Sequence, residues 1–540
     1  MAESIPLYRV SQETNRASID SLPAHNAKVF ERKRSNPLLP FSVFRLLWSR
    51  RRNDRARHSL LTHTEYQNGI TSGYPRKRRR RNRCFRLLFW LFNSCALFII
   101  VSLLNGLLRP SYIQLSEHYL DLEKRILAAS VQDGRGNPHN EKVFIAANII
   151  NEDLIRDSWG ENLINLVRIL GQDNVFISIY ENDAGDGTRD ALLELNRKLA
   201  CNTSIVTGDH ISLSNFPTVT TSSGEKRVKR PTYLAEVRNR VLLPLQSGPR
   251  VDHWERNHPN FRRAEQKFDK VLFLKDVFFN PVEAAQLLFS TNMGPNGRAE
   301  YSAACAIDFA AKVMFYDTSV VHDMEGYGMG LMFYPWFPPI GESQSRNDVL
   351  ALKDAVRVRS CWGGMAAFDA EIFQPRVMED NDTVPALQFR SIQEPYWEEA
   401  DFCLLFADME VRRAMLHEQG KGVFVNPYIR VAYSQVTWDW LPFWRRHERM
   451  FQFLQYIVSK IGYPEYNPRR EHVAGARVEE RVWVPEGDKG GGSFQNVERN
   501  ADAGGWCGQR KMLVMKKDLG RADENGWWKN WENVKIPKGL

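Results

Sequence analysis

The chain has 540 residues, 43% hydrophobic and 25% charged, a globular composition that excludes a low-complexity or wholly disordered protein. Its net charge of +9 would suit a nucleic-acid binder. However, residues 1–86 hold 20 Lys and Arg against 6 Asp and Glu, so the remainder is net acidic and no nucleic-acid partner is implied.

The tail, residues 1–83, is polar, basic and only weakly periodic, and is expected to stay disordered. From Leu87 to Leu108 the chain runs 22 residues without a formal charge, enough to cross about 30 Å of hydrocarbon. A cleaved signal peptide would start nearer the N-terminus and have a shorter apolar core. Arg76, Lys77, Arg78, Arg79, Arg80, Arg81, Arg83 and Arg86 crowd the N-terminal flank, whereas the C-terminal flank mixes both signs. The positive-inside rule then keeps the tail cytosolic and sends the rest across, as a single-pass type II protein of the Golgi or ER membrane. The glycosylation acceptors Asn202-Thr203-Ser204 and Asn381-Asp382-Thr383 both fall on the expected lumenal side. Seven cysteines make no disulfide framework and no zinc spacing. Five lie beyond the apolar run (Cys201, Cys305, Cys361, Cys403 and Cys507). They allow at most two internal pairs, and spacing does not choose between them.

A stem, 109–140, is expected to be partly helical around Leu115–Leu127. The pattern then becomes α/β. Val143–Ile150 is an apolar, β-branched run of strand length. A helix from Ser158 puts Trp159, Leu163, Leu166, Val167 and Leu170 on one face, and Gly171 stops it. Val175–Tyr180 is a second buried strand, followed by the acidic loop Glu181–Thr188, a helix to about Leu199 and a short strand, Ser204–Val206. This alternation predicts parallel crossover units in a doubly wound, mostly parallel sheet, with ligands beyond the C-terminal strand ends. A helix from Thr232 to about Leu245 follows, then a third buried strand, Val271–Leu274. Asn280-Pro281 caps a helix over Val282–Phe289. Tyr301–Phe309, Val423–Val425 and Ile429–Tyr433 read as later strands, and little regular structure is expected from Pro485 onward.

Four groups of residues could carry chemistry. Glu181 and Asp183, with Asp186, sit in a loop after a strand, where carboxylates can accept hydrogen bonds from a nucleoside; turn chemistry would select the same residues. Asp276 ends a strand, where a carboxylate can hold a cation bridging a diphosphate, or can simply cap the turn before Pro281. Arg238 and Arg240 cannot both face the core, so one could turn to a phosphate. Trp362-Gly363-Gly364 could stack on and approach a sugar. Downstream, Glu399 and Asp401, expected at a helix start, could supply a base or merely cap the helix dipole.

Taken together, several stretches resemble the fungal capsule-associated protein 59 or cryptococcal mannosyltransferase family, glycosyltransferase family 69. They are Asn148–Glu152, Tyr180–Thr188, Phe273–Val277, Ala303–Asp308, Phe315–Asp317, Asp323–Gly326 and Cys361–Gly364. The resemblance spans Val143 to roughly Arg470. It implies a GT-A-like transferase that uses GDP-mannose, usually with Mn2+, to form an α-1,3 bond in a fungal glycan or polysaccharide. On that basis Glu181 and Asp183 would bind the nucleotide and Asp276 the metal, and Asn148, Arg238 and Lys275 are further candidates for binding the nucleotide sugar. Asp323, Glu325, Trp362, Gly363 and Gly364 would lie near the acceptor, and Asp401 or Glu399 near the reacting carbon. Lys275 stands where many GT-A enzymes carry a second acidic residue, and a lysine could itself neutralise diphosphate. The expected organisation is a tail (1–83), a signal anchor (84–108), a stem (109–140), a lumenal transferase domain (141–484) and a C-terminal tail (485–540). The rival reading is a non-catalytic membrane factor for polysaccharide export or assembly.

Overall fold

The computed structural model describes residues 77–128, 133–182, 186–209, 211–378, 383–462, 466–487, 490–517 and 530–539, with side chains from Phe85 onward except that of Asp186. The tail up to residue 76, Asp183 and Asn381 therefore lie outside the described residues. The described chain divides between Ile99 and Ile100 into two units, the first ending at Ile99 and the second beginning at Ile100. Helix α1 (Lys77–Leu108) starts in the first, and its last turns belong to the second. Within it, Phe85–Leu108 is long and apolar enough to cross a membrane.

The second unit is organised by a nine-stranded mixed sheet. Strands β1 (Val143–Ala147), β2 (Val175–Tyr180), β3 (Asn202–Val206) and β4 (Lys270–Leu274) run parallel, ordered β3-β2-β1-β4. Buried along their whole length, β1, β2 and β4 are continuous apolar runs rather than alternating ones, as a sheet covered on both faces requires. Helix α2 (Ser158–Leu170) buries the stripe its spacing predicted, and Gly171, at φ 89°, ends it in a conformation open to glycine. Helix α3 (Asp186–Lys198) returns the chain to β3.

The remaining strands are β5 (Ala303–Ala311), β6 (Met314–Phe315), β7 (Val356–Arg357), β8 (Met365–Asp369) and β10 (Val423–Ala432); β9 (Glu398–Glu399) lies outside this sheet. The full order is β3-β2-β1-β4-β8-β5-β10-β7, with β6 hairpinned on β5. The runs expected over Val423–Val425 and from Ile429 are thus parts of a single strand that ends at Ala432, one residue before Tyr433, with a register shift between Val425 and Arg430. β8 is antiparallel to both neighbours, pairing Met365 with Leu274. Its entrance therefore meets the exit of β4, and residues on either side of this junction share one edge of the sheet.

Helices α4 (Arg230–Val241), α5 (Pro281–Ser290), α6 (Asp401–Leu416), α7 (Gln435–His447) and α8 (Phe451–Gly462) complete the elements used below. Asn280 caps α5 as expected, its side chain accepting from the Val282 and Glu283 amides. The expected stem is docked on the body: Tyr112 is buried and donates to the Val349 carbonyl, and Tyr119 donates to Asp354.

The segment from Pro485 departs from the expected irregular tail. β11 (Arg477–Pro485) and β12 (Gly492–Asn500) form a hairpin, and β13 (Gly508–Gln509) pairs antiparallel with β9. Trp483, Phe494, Met512 and Val514 form a small apolar cluster with Val219 and Tyr396. Around it, the arginines Arg469 and Arg499 each pair with both Glu394 and Glu480. The disulfide Cys403–Cys507 ties the segment to α6, and Cys305–Cys361 joins β5 to the approach to β8. Among the described residues Cys95 and Cys201 remain free.

Candidate active site

The junction of β4 and β8 opens into a cleft of about 270 Å³. Lys275 and Asp276 reach it because they directly follow β4, Trp362 because it precedes β8, and Tyr433 because it follows β10. Tyr316 and Asp317 come from the turn after β6, and Arg230 and Arg238 from α4. The far wall is Glu398 of β9 and Asp401 at the start of α6, faced by Gln509, Lys511 and Leu513. Strand pairing sets Glu398 opposite Gln509, so this wall exists only when the late segment is docked. A cleft beyond the C-terminal strand ends is where an open α/β sheet binds ligands.

Its charges are largely arranged in pairs. Arg238 and Asp401, both buried, form an ion pair, with the guanidinium 4.3 Å from the Phe402 ring centroid. Lys275 Nζ lies 3.2 Å from Asp317 and 5.0 Å from the Trp362 ring centroid. Behind them, buried Asp308 accepts from the Tyr433 hydroxyl at 2.8 Å. Burial, then the neighbouring Asp317, push the Asp308 carboxyl well above the usual carboxylate range. Two cations stand apart: among the described residues neither Arg230 nor Lys511 has a carboxylate partner, and Arg230 rests 4.6 Å from the Trp531 ring centroid. A cleft that keeps two arginine and lysine charges unneutralised is suited to an anion with several oxygens.

Several expected site residues have other partners. Asn148 is buried and donates to the Tyr180 carbonyl, and Glu181 accepts from the Gly208 amide. These bonds tie neighbouring strand ends together, and neither residue lines the cleft. Asp323 accepts from the amides of Glu325 and Tyr327 within a turn, and burial raises its carboxyl to about 6. Glu325 accepts from the Glu342 amide, and neither acid reaches the cleft. Gly363 and Gly364 are each in close contact with the neighbouring strands. A Cβ at Gly363 would collide with the Ala306 carbonyl, and Gly364, at φ 68°, is packed by Val277 and Val431. Glu399 is not at a helix start: it belongs to β9, accepts from Trp397 Nε1 at 2.7 Å and lies in the core, while its neighbour Glu398 faces the cleft. Burial raises the Glu399 carboxyl to about 7. Asn202 is exposed at the start of β3.

Arg230, Asp317 and Lys511 also line the cleft, and Glu398 does so from the acidic cluster that contains Glu399 and Asp401. Asp317 lies inside a stretch that carries the family resemblance and Arg230 in a basic run, but nothing local marks Lys511.

Among the described residues no three or more His, Cys, Asp or Glu are grouped to hold a metal ion. Asp276 and Asp317 do line one cleft, and Asp317 is already engaged by Lys275. That donor set fits a cation shared with phosphate oxygens and water, as magnesium-type sites are, and not a cage made by protein alone.

A family model described as Cryptococcal mannosyltransferase 1 matches residues 142–408, which contain every cleft residue except Tyr433 and the three from the late segment. No curated protein matches the chain. Among solved structures, a mannosyltransferase from Pyrobaculum calidifontis in complex with GDP-Man and Mn2+ aligns with TM-score 0.28 and 11% identity, over 62% of this chain and 66% of that one. Glucosyl-3-phosphoglycerate synthase from Mycobacterium tuberculosis, in complex with Mn2+ and UDP-glucose, aligns with TM-score 0.28 and 12% identity, over 72% and 92%.

Proposed function

We propose, for a chain that belongs over residues 142–408 to the cryptococcal mannosyltransferase 1 family, that it transfers mannose from GDP-mannose to a glycan or polysaccharide in an α-1,3 linkage. The observation that carries this reading is the cleft at the β4–β8 junction, where among the described residues Arg230 and Lys511 have no carboxylate partner beside an acidic and aromatic wall. When the bond from sugar to phosphate breaks, negative charge grows on the departing diphosphate. Fixed cations already aimed at the departing oxygens stabilise that growth more than they stabilise the ground state. Arg230 and Lys511 are assigned to the diphosphate, with Lys275 held ready beside Asp317. Asp276 would hold a divalent cation such as Mn2+, which would neutralise further charge on the same leaving group.

Tyr316, half-buried at the cleft, is assigned to a sugar ring, whereas Trp362 is buried and stacked on Phe402 and backs the Lys275 side chain. Asp401, oriented by Arg238, is assigned to the acceptor hydroxyl that must lose its proton, and Glu398 beside it to acceptor positioning. We further propose a type II topology in the Golgi or ER membrane, with Phe85–Leu108 as anchor and the transferase domain lumenal. The two disulfides favour an oxidising compartment for that domain.

The test is full-length protein assayed against GDP-mannose and other sugar nucleotides, with and without Mn2+ and with chelator. GDP-mannose should be consumed fastest, with mannose appearing on a glycan acceptor. Turnover of another sugar nucleotide alone would replace the donor assignment. Failure to bind or turn over any of them would sink the enzymatic reading in favour of an export or assembly factor.

A further inference from the structure

A helix on a globular surface normally buries its apolar stripe. Helix α8 does the reverse. Its buried residues are Gln455 and Ser459, whereas Phe453 is 74% exposed, Ile461 77%, and Leu454, Tyr456 and Ile457 are also exposed. At 100° per residue the five exposed side chains cover an arc of roughly 160°, opposite the two buried polar ones. The inversion is built in: Gln455 donates to the Phe337 carbonyl at 3.0 Å and accepts from Arg346, so the polar face is the anchored one.

The apolar surface continues onto α7, which exposes Val436, Trp440 and Phe443. Lysines sit at its rim, with Lys312 Nζ 4.4 Å from the Trp440 ring centroid and Lys460 Nζ 4.4 Å from that of Tyr456. Leaving so much apolar area in water forgoes several kcal/mol, which calls for an occupant. Two observations identify it. Aromatic rings flanked by lysines are the composition of a protein surface at the level of lipid headgroups. The patch also adjoins the apolar helix: Phe443 packs on the His447 imidazole with centroids 4.6 Å apart, and a Cβ at Gly106 of α1 would collide with that imidazole.

We infer that α7 and α8 form a lipid-docking surface, through which the folded domain lies against the same membrane that Phe85–Leu108 enters. This rests on the proposed membrane span. The apolar face of α8 sinks into the boundary between headgroups and acyl chains, and Lys312 and Lys460 reach back to headgroup phosphates.

Full-length protein with Cys84, Cys95 and Cys201 replaced by Ser, reconstituted in phosphatidylcholine–phosphatidylinositol bilayers, would carry one spin label per variant. The labelled sites are Phe453→Cys, Ile457→Cys and Ile461→Cys, with Leu97→Cys in the apolar helix and Met415→Cys, 73% exposed on α6, as a water-facing reference. The ratio of oxygen to nickel-chelate accessibility should be several-fold higher at the three α8 sites than at Met415→Cys. Equal ratios there, with Leu97→Cys shielded, overturn the docking surface and leave the span standing. Nickel access at Leu97→Cys as well overturns the span itself. Shielding of α8 from both probes, with dipolar broadening between labels, would assign the face to a second copy and also overturn lipid docking. The unsubstituted chain provides a check independent of variant folding. Lipids with photoreactive acyl chains should crosslink within 436–461, and crosslinks confined to 85–108 contradict the inference.

Discussion

The parallel half of the sheet and the late wall of the cleft are held together by different physics. β1, β2 and β4 are short apolar runs buried on both faces, so burial of area stabilises them and their neighbours in sequence suffice to form them. The wall made by 394–401 and 505–515 is held by a disulfide, a two-residue strand pairing, charge networks and buried Lys229, which donates to the carbonyls of Ile392, Glu394 and Trp397. Apolar burial degrades gradually under mutation, whereas polar ties fail one at a time, and each failure strands a partner. The cleft lies between the two regimes, so its integrity is set by the more brittle one.

Breaking the Arg238–Asp401 pair should do most damage. Asp401→Asn removes the charge that Asp401 sets against the buried Arg238 guanidinium and should cost about 3–5 kcal/mol in denaturant unfolding. It should also abolish transfer; a variant with unchanged stability and activity would show that the pair is ornamental to both fold and chemistry. Opening the tie at Cys403–Cys507 comes next. Cys507→Ser removes a crosslink spanning 104 residues, for an expected loss of about 2–5 kcal/mol. Turnover should fall with it, while the late segment, 466–517, is cleaved before the strands of the large sheet. Uniform proteolysis of sheet and wall together would erase the distinction between the two regimes.

Chemistry can be separated from fold within the cleft. Asp276→Asn should lower turnover at least ~100-fold, about 2.7 kcal/mol of lost transition-state stabilisation, with little change in Tm. Arg230→Met and Lys511→Met should each lower kcat/KM by roughly 10-fold or more through the diphosphate. Normal kinetics in both would remove the anion assignment. The smallest effect sharpens the comparison by pH. Glu399 is raised from 4.5 to about 7 by burial in the wall, so the folded state binds its proton more tightly than the unfolded chain. Its contribution is complete below pH 4.5 and is lost as pH rises through about 7. Glu399→Gln mimics the protonated form and should flatten the Tm profile between pH 5 and 8, gaining on the parent at the alkaline end. An unchanged profile would mean that Glu399 ionises without penalty.

Legibility in the sequence follows the same division. The α2 stripe, the Asn280 cap, and strands β1, β2 and β4 are readable because each is decided by residues within about one element of itself. Asp276, Lys275, Trp362, Arg238 and Asp401 could be singled out, being chemically distinctive residues at strand or helix ends. Glu181, Asn148 and Asp323 share that local signature, and their hydrogen bonds tie strand ends and turns outside the cleft lining. The choice between Glu398 and Glu399 depends on which face of a two-residue strand meets Gln509, more than 100 residues later. No periodicity encodes that pairing, and the same distance hid Lys511.

The pairing of Glu398 with Gln509 also has a temporal consequence. Chains are made from the N-terminus at about 5–20 residues per second. Every strand of the large sheet has been made once Ala432 emerges, but Gln509, Lys511 and Leu513 follow seconds later. During that interval the sheet side of the cleft can be folded while its opposing wall is still missing. Competence would then be acquired in a late, oxidation-dependent closing step, and a chain truncated before Cys507 would be a stable but silent product.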